Sequence, residues 1–71
     1  MIENVEVALL FREIEDNQLR VSLRSKDKIN VGRLAMLYGG GGHRSVAGCR
    51  IHHNPRTVER FINQVCNLLY H

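Results

Sequence analysis

A run of four glycines, Gly39-Gly40-Gly41-Gly42, followed at once by His43, Arg44 and Ser45, restricts this chain more than any other stretch of it. Glycine loses more backbone freedom on folding than any other residue, so ordering several in succession is expensive. A small domain keeps such a run only where bare backbone has a use. The use that fits is close approach of a ligand to main-chain N–H groups, which together form a concavity for anions. The imidazole of His43 and the guanidinium of Arg44 add a titratable donor and a fixed cation at the same spot. The combination reads as a loop that grips phosphate.

Residue periods describe what surrounds the loop. Val5, Val7, Leu9 and Phe11 alternate with less apolar neighbours, and Leu19, Val21 and Leu23 alternate with Arg20, Ser22 and Arg24. Two such runs around Glu15-Asp16-Asn17 predict an antiparallel hairpin with Arg20, Ser22 and Arg24 on the face opposite the leucines. Asn30 is placed to cap a short helix whose apolar stripe is Val31, Leu34, Ala35 and Tyr38. Gly39 stops that helix as a left-handed residue. Beyond the glycines, Ala47, Cys49 and Ile51 alternate with Val46, Gly48, Arg50 and His52, which predicts a third strand. Asn54-Pro55 is a capping side chain followed by proline at the first helical position, and Val58, Phe61, Ile62, Val65 and Leu69 form the stripe of the helix it starts. The expected fold class is α+β: a small mixed sheet, hairpin plus third strand, with two helices in the order β-β-α-β-α.

With 71 residues, residues 1–71 are expected to form a single domain, and a chain of this size hides only about 60% of its unfolded surface. Its hydrophobic content of 44% is that of a globular domain and argues against disorder. No apolar run approaches the roughly 20 residues that span a bilayer, and Met1-Ile2-Glu3-Asn4 lacks the features of a signal peptide. A cytoplasmic location and no membrane partner are the expectation. The net charge of +3 is unevenly placed. Arg20, Arg24, Lys26, Lys28, Arg33, Arg44 and Arg50 fall in the middle of the chain, whereas Glu3, Glu6, Glu13, Glu15 and Asp16 precede or open that stretch. A cationic centre beside a glycine loop points to a nucleotide or short nucleic acid, against the plainer reading of a solvated surface. Without tryptophan, an extended base-stacking platform is not expected.

Cys49, His52, His53, Cys66 and His71 include zinc-like spacings. The strand pattern sets Cys49 on the core face and His52 on the other, so buried reduced thiols are expected rather than zinc, and a Cys49–Cys66 disulfide is not expected in a cytoplasmic chain.

The segments Val21-Ser22-Leu23-Arg24-Ser25, Ile29-Asn30-Val31-Gly32-Arg33-Leu34-Ala35, Gly39 to His43 and Ala47-Gly48-Cys49, in that order, resemble the C-terminal DHH-associated domain of DHH-family phosphoesterases. Within that family the chain is most similar to the bacterial nano-RNases, exonucleases that degrade very short RNAs and dephosphorylate adenosine 3′,5′-bisphosphate. That branch also includes cyclic dinucleotide phosphodiesterases. The similarity runs from about Val5 to the final helix. It implies a division of labour, with an upstream DHH catalytic domain whose Asp and His residues hold two manganese ions and generate the attacking hydroxide. The associated domain holds the nucleotide across a cleft. No Asp-His-His triplet occurs here, so the resemblance implies the C-terminal part of a larger hydrolase, binding no manganese itself and inactive alone.

Carried over by position, Gly39, Gly40, Gly41 and Gly42 would present backbone N–H groups to substrate phosphate. His43 would point at that phosphate as an assisting residue that hydrogen-bonds or protonates it, and Arg24 would contact substrate from the preceding strand. Arg44 joins the binding set; Arg44 and Ser45 stand where the family varies, and Asn30 stands at the matching helix start as a cap. Gly48 would let its strand pass close to loop or ligand. The implied partners are a nucleotide or short single-stranded oligonucleotide and the DHH catalytic domain. Two alternatives belong to other classes: a non-catalytic RNA-binding module like the C-terminal domain of alanyl-tRNA synthetases, and a purely structural or dimerising domain.

Overall fold

Alternation and capping translate directly into elements in the computed structural model, which describes residues 6–26 and 29–69. The elements are β1 (Val7–Ile14), β2 (Gln18–Ser25), α1 (Val31–Leu37), β3 (Gly41–Gly42), β4 (Val46–His52) and α2 (Pro55–Leu69). The β1–β2 turn relies on Asp16 and Asn17, at φ of 61° and 57°, residue types whose short polar side chains tolerate the left-handed region. Asn30 caps α1, its side-chain oxygen accepting the Arg33 N–H at 3.2 Å. Asn54 does the same for α2, accepting the Thr57 N–H at 2.8 Å.

The sheet runs β1-β2-β4-β3. Each pairing is antiparallel, which corrects the mixed sheet expected from the sequence. The two-residue strand β3 also extends the order to β-β-α-β-β-α. Strand β3 reaches β4 through a tight turn, His43 N–H donating to the Val46 carbonyl at 2.7 Å, and a turn that short joins only antiparallel neighbours.

One face of the sheet is covered and the other is open. Leu19, Val21 and Leu23 of β2, Ala47, Cys49 and Ile51 of β4, Val31, Leu34 and Ala35 of α1, and Phe61 and Val65 of α2 form the buried core. Val7, Leu9 and Phe11 of β1 pack against it half-buried; Val5 lies outside the described residues. Phe61 is fully buried and meets Phe11 and Tyr38 edge-on, at ring separations of 6.2 and 5.1 Å, the geometry aromatic pairs prefer. Ile62 departs from its expected place in the α2 stripe: at 40% exposed it lies on the flank. Among the described residues, no helix is long and apolar enough to cross a membrane.

Candidate phosphate-binding loop and open sheet face

The first two glycines of the run are occupied by the end of α1. Gly39, at φ 79°, donates its N–H to the Met36 carbonyl at 3.1 Å, and Gly40 donates to Ala35 at 2.9 Å. These are the paired bonds of a Schellman cap, with the left-handed residue just past the helix. The two N–H groups are therefore not directed at a ligand, which narrows the expectation that all four glycines present theirs. Gly41 pairs with Gly48 and Gly42 with Ala47 across β3 and β4. Because the next pair, His43 and Val46, is hydrogen-bonded, alternation makes Gly42–Ala47 the non-hydrogen-bonded pair, and the Gly42 N–H points outward from the sheet edge. Within the run, that amide is the one aimed away from the fold.

The β3–β4 tip is anchored to the rest of the domain through its carbonyls. The Arg44 carbonyl accepts the first amide of α1, that of Val31, at 2.9 Å, and the Ser45 carbonyl accepts the Ser25 N–H at 2.9 Å. The Ser25 hydroxyl donates to Ile29 at 2.5 Å and reaches the Arg44 carbonyl at 3.3 Å. Gly32 lets α1 lie against the same tip, since a Cβ there would stand 2.8 Å from the His43 carbonyl oxygen. Ser25 and Gly32 thus set the position of His43 and Arg44, a role that reading along the chain did not assign.

Register arranges the exposed side chains into rows, because directly opposed residues share a face. Arg24 lies opposite Ala8 and Val46, and the His43–Val46 bond adds His43 to that row. The structure thus places Arg24 and His43 in one row, two strands apart with Val46 between them, while Arg44 lies on the adjoining turn. Beside this row lie Leu10, Ser22, Gly48 and Gly41; the last three make a floor with little relief, and the exposed Leu10 borders it on β1. The third row holds Arg12, Arg20 and Arg50, opposed across β1, β2 and β4. Arg20 and Arg50 each fall on the non-core face of a strand by alternation along the chain; that they oppose each other, with Arg12 beside Arg20, comes only from strand pairing.

The glycines themselves differ in why they must be glycine. A Cβ on Gly40 would come within 2.1 Å of the Gly48 carbonyl oxygen. One on Gly42, at φ 142°, would come within 2.6 Å of Val46 and Ala47 backbone atoms. A Cβ on Gly41 would meet nothing within 4 Å, and one on Gly48 only an ordinary contact of 3.4 Å. Folding does not demand glycine at 41 or 48, yet these two face each other in the floor. A depression of about 560 Å³ lies beside them, bordered by Arg20, Arg50, Tyr38 and Gly39.

Burial raises the Cys49 thiol above its ordinary pKa, so it stays protonated and poorly nucleophilic at neutral pH. Burial also raises Tyr38, opposed by the Arg60 charge and reinforced by Cys49; its hydroxyl donates to Gln64. Cys49 and Cys66 are free thiols. Among the described residues, no three metal-ligating side chains converge. His71 lies outside the described residues.

Comparison with known proteins gives a consistent family. The DHHA1 domain model matches residues 1–70. The chain is 33% identical over 69 residues to the bifunctional oligoribonuclease and PAP phosphatase NrnA of Mycoplasma genitalium, covering 97% of this chain and 21% of that protein. It is also 33% identical over 70 residues to a membrane protein–large ribosomal subunit bL9 fusion protein of Aster yellows witches'-broom phytoplasma, covering 97% of this chain and 8% of that one. A protein of the same description from Onion yellows phytoplasma matches equally, at 33%. The chain therefore spans about a fifth or less of the length of these relatives.

Proposed function

The chain belongs to the DHHA1 domain family, and from that membership and its open sheet face we propose that it is the nucleotide- and short-oligonucleotide-binding domain of a DHH-family phosphoesterase. The observation that supports this most is the pair Gly41 and Gly48: unforced by the fold, they leave a flat floor beside the Arg24–His43 row. Glycine inside a strand marks close approach by another backbone or a ligand. In this reading a substrate phosphate rests on the floor at the β3 edge. The Gly42 amide donates to it and His43 donates or delivers a proton at that edge, while Arg24, two strands away on β2, supplies a fixed forked cation to the same substrate. Arg44 extends the positive field at the tip.

The relative named as an oligoribonuclease and PAP phosphatase makes short RNA and bisphosphate nucleotides the first substrates to examine, with cyclic dinucleotides next. Catalysis then belongs to a partner DHH domain carrying manganese, which supplies the activated water. No step on this chain passes through a metal ion.

Titrating the chain with adenosine monophosphate or a diribonucleotide while following backbone amide shifts tests the reading. The amides of Gly41, Gly42, His43 and Arg24 should move together. Movement confined to other regions would remove the site. In a polypeptide that includes the catalytic domain, His43→Ala should lower turnover by on the order of 100-fold with manganese content unchanged. Unaltered turnover would take His43 out of the mechanism.

A further inference from the structure

Like charges set directly opposite each other in a sheet repel, and the open face sets three arginines in one such row. Arg12 opposes Arg20 and Arg20 opposes Arg50, each side chain exposed. Among the described residues no ion pair joins any of the three to a carboxylate. At about 4.8 Å between strands the row is roughly 10 Å wide from β1 to β4. It parallels the Arg24–His43 row. Along β2 the two rows are the separation of Arg24 and Arg20 apart, about 13 Å at 3.3 Å per residue. Between them lies the floor of Ser22, Gly48 and Gly41, and the exposed Leu10 beside it. Glu15 and Asp16 close the far side of the arginine row at the β1–β2 turn, so a polyanion crossing the face is turned aside there.

We propose that Arg12, Arg20 and Arg50 form a second, length-reading subsite for single-stranded oligonucleotide, which holds the backbone beyond the phosphate at the glycine loop, about 13 Å further along β2. Guanidinium groups suit this duty because they bind phosphate through paired bonds and also stack on bases, on a face without tryptophan. The proposal rests on the phosphate reading of the glycine loop for where the strand begins, and the arginine row sets how far it extends.

Calorimetric titrations with adenosine monophosphate, a diribonucleotide and a hexaribonucleotide test it, comparing the chain with its Arg20→Gln/Arg50→Gln variant at several salt concentrations. The expected result is an approximately tenfold loss of hexanucleotide affinity. The log–log salt slope should also shrink by about 1.4, at about 0.7 for each lost phosphate contact. Monophosphate and dinucleotide binding should be unchanged. Arg20→Lys/Arg50→Lys should restore the salt slope. Unchanged hexanucleotide affinity overturns the subsite, as does an equal loss for the monophosphate, which would merge the row with the first site. Polyglutamate binding as tightly, with the same dependence on both arginines, would make the row a general polyanion surface and also overturn it. If the monophosphate leaves the glycine loop unmoved while the hexanucleotide still depends on the row, the loop reading fails and the subsite stands.

Discussion

Gly39 and Gly40 sit beside Gly41 and Gly42 in one uninterrupted run, yet the two pairs serve opposite needs. The first pair looks inward. Its amides close α1, and Gly40 passes so near the Gly48 carbonyl that no side chain fits. The second pair is strand, forming a short edge whose one outward amide belongs to Gly42. Position 41 lies over open space. The contrast separates glycine that the fold requires from glycine that it merely permits. Only the permitted kind is evidence for a ligand, and substitution along the run can sharpen or destroy that distinction.

The largest effect is expected at position 40. In Gly40→Ala the new Cβ would lie 2.1 Å from the Gly48 oxygen and 2.7 Å from the Cys49 Cβ, so β4 or the helix cap must move. Overpacking against backbone costs about 3 kcal/mol or more. A chain of 71 residues holds only roughly 4–10 kcal/mol in total. The thermal midpoint should fall by about 15 °C or the transition disappear, at roughly 4–8 °C per kcal/mol for a small domain. A fall of only a few degrees would show that Gly40 is not wedged against β4, and the division between the pairs would lose its inward half.

Gly39→Ala should do less. Its φ of 79° strains an alanine, but nothing stands within 4 Å of the added carbon. The left-handed penalty of about 1–2 kcal/mol is then the whole effect, a midpoint lowered by on the order of 5–10 °C. Asparagine, which tolerates that region, should recover part of the loss. Equal damage from alanine at 39 and 40 would mean that backbone conformation rather than close approach governs both positions.

What could be read along the chain was what depends on near neighbours. The alternation of Leu19, Val21 and Leu23, the caps at Asn30 and Asn54, and the stop at Gly39 each act within a turn or a strand, and the structure places them as expected. Strand β3 was hidden because polyglycine carries no alternation to read. Its pairing exists only because β4 is present to accept it. The arginine row was hidden for a related reason. Arg12, Arg20 and Arg50 come from three strands, and nothing local reveals that they share a register. Gly32 likewise became intelligible only once the His43 carbonyl arrived against α1. Roles for Arg24, His43 and the glycines toward one substrate were expected from family resemblance, whereas the division of the glycine run into a capped half and an open half follows from hydrogen bonds across the fold.

The smallest effect on stability is expected where the effect on binding should be clearest. Gly41 lacks positive φ, and a Cβ there would point over the open face and touch nothing. Alanine removes freedom from the unfolded chain, so Gly41→Ala should leave stability unchanged or raise it by up to about 1 kcal/mol. The added methyl nevertheless stands on the floor between the Arg24–His43 row and the arginine row, where it lifts any phosphate or sugar off the backbone. Mononucleotide affinity should fall about tenfold, worth about 1.4 kcal/mol, while the melting transition stays in place. Gly48→Ala, opposite it in the same floor, should repeat the pattern more weakly, because its Cβ already has the Val21 carbonyl at 3.4 Å. A stable Gly41→Ala chain that binds nucleotide as well as the parent would show that the open space over position 41 is not where the ligand lies.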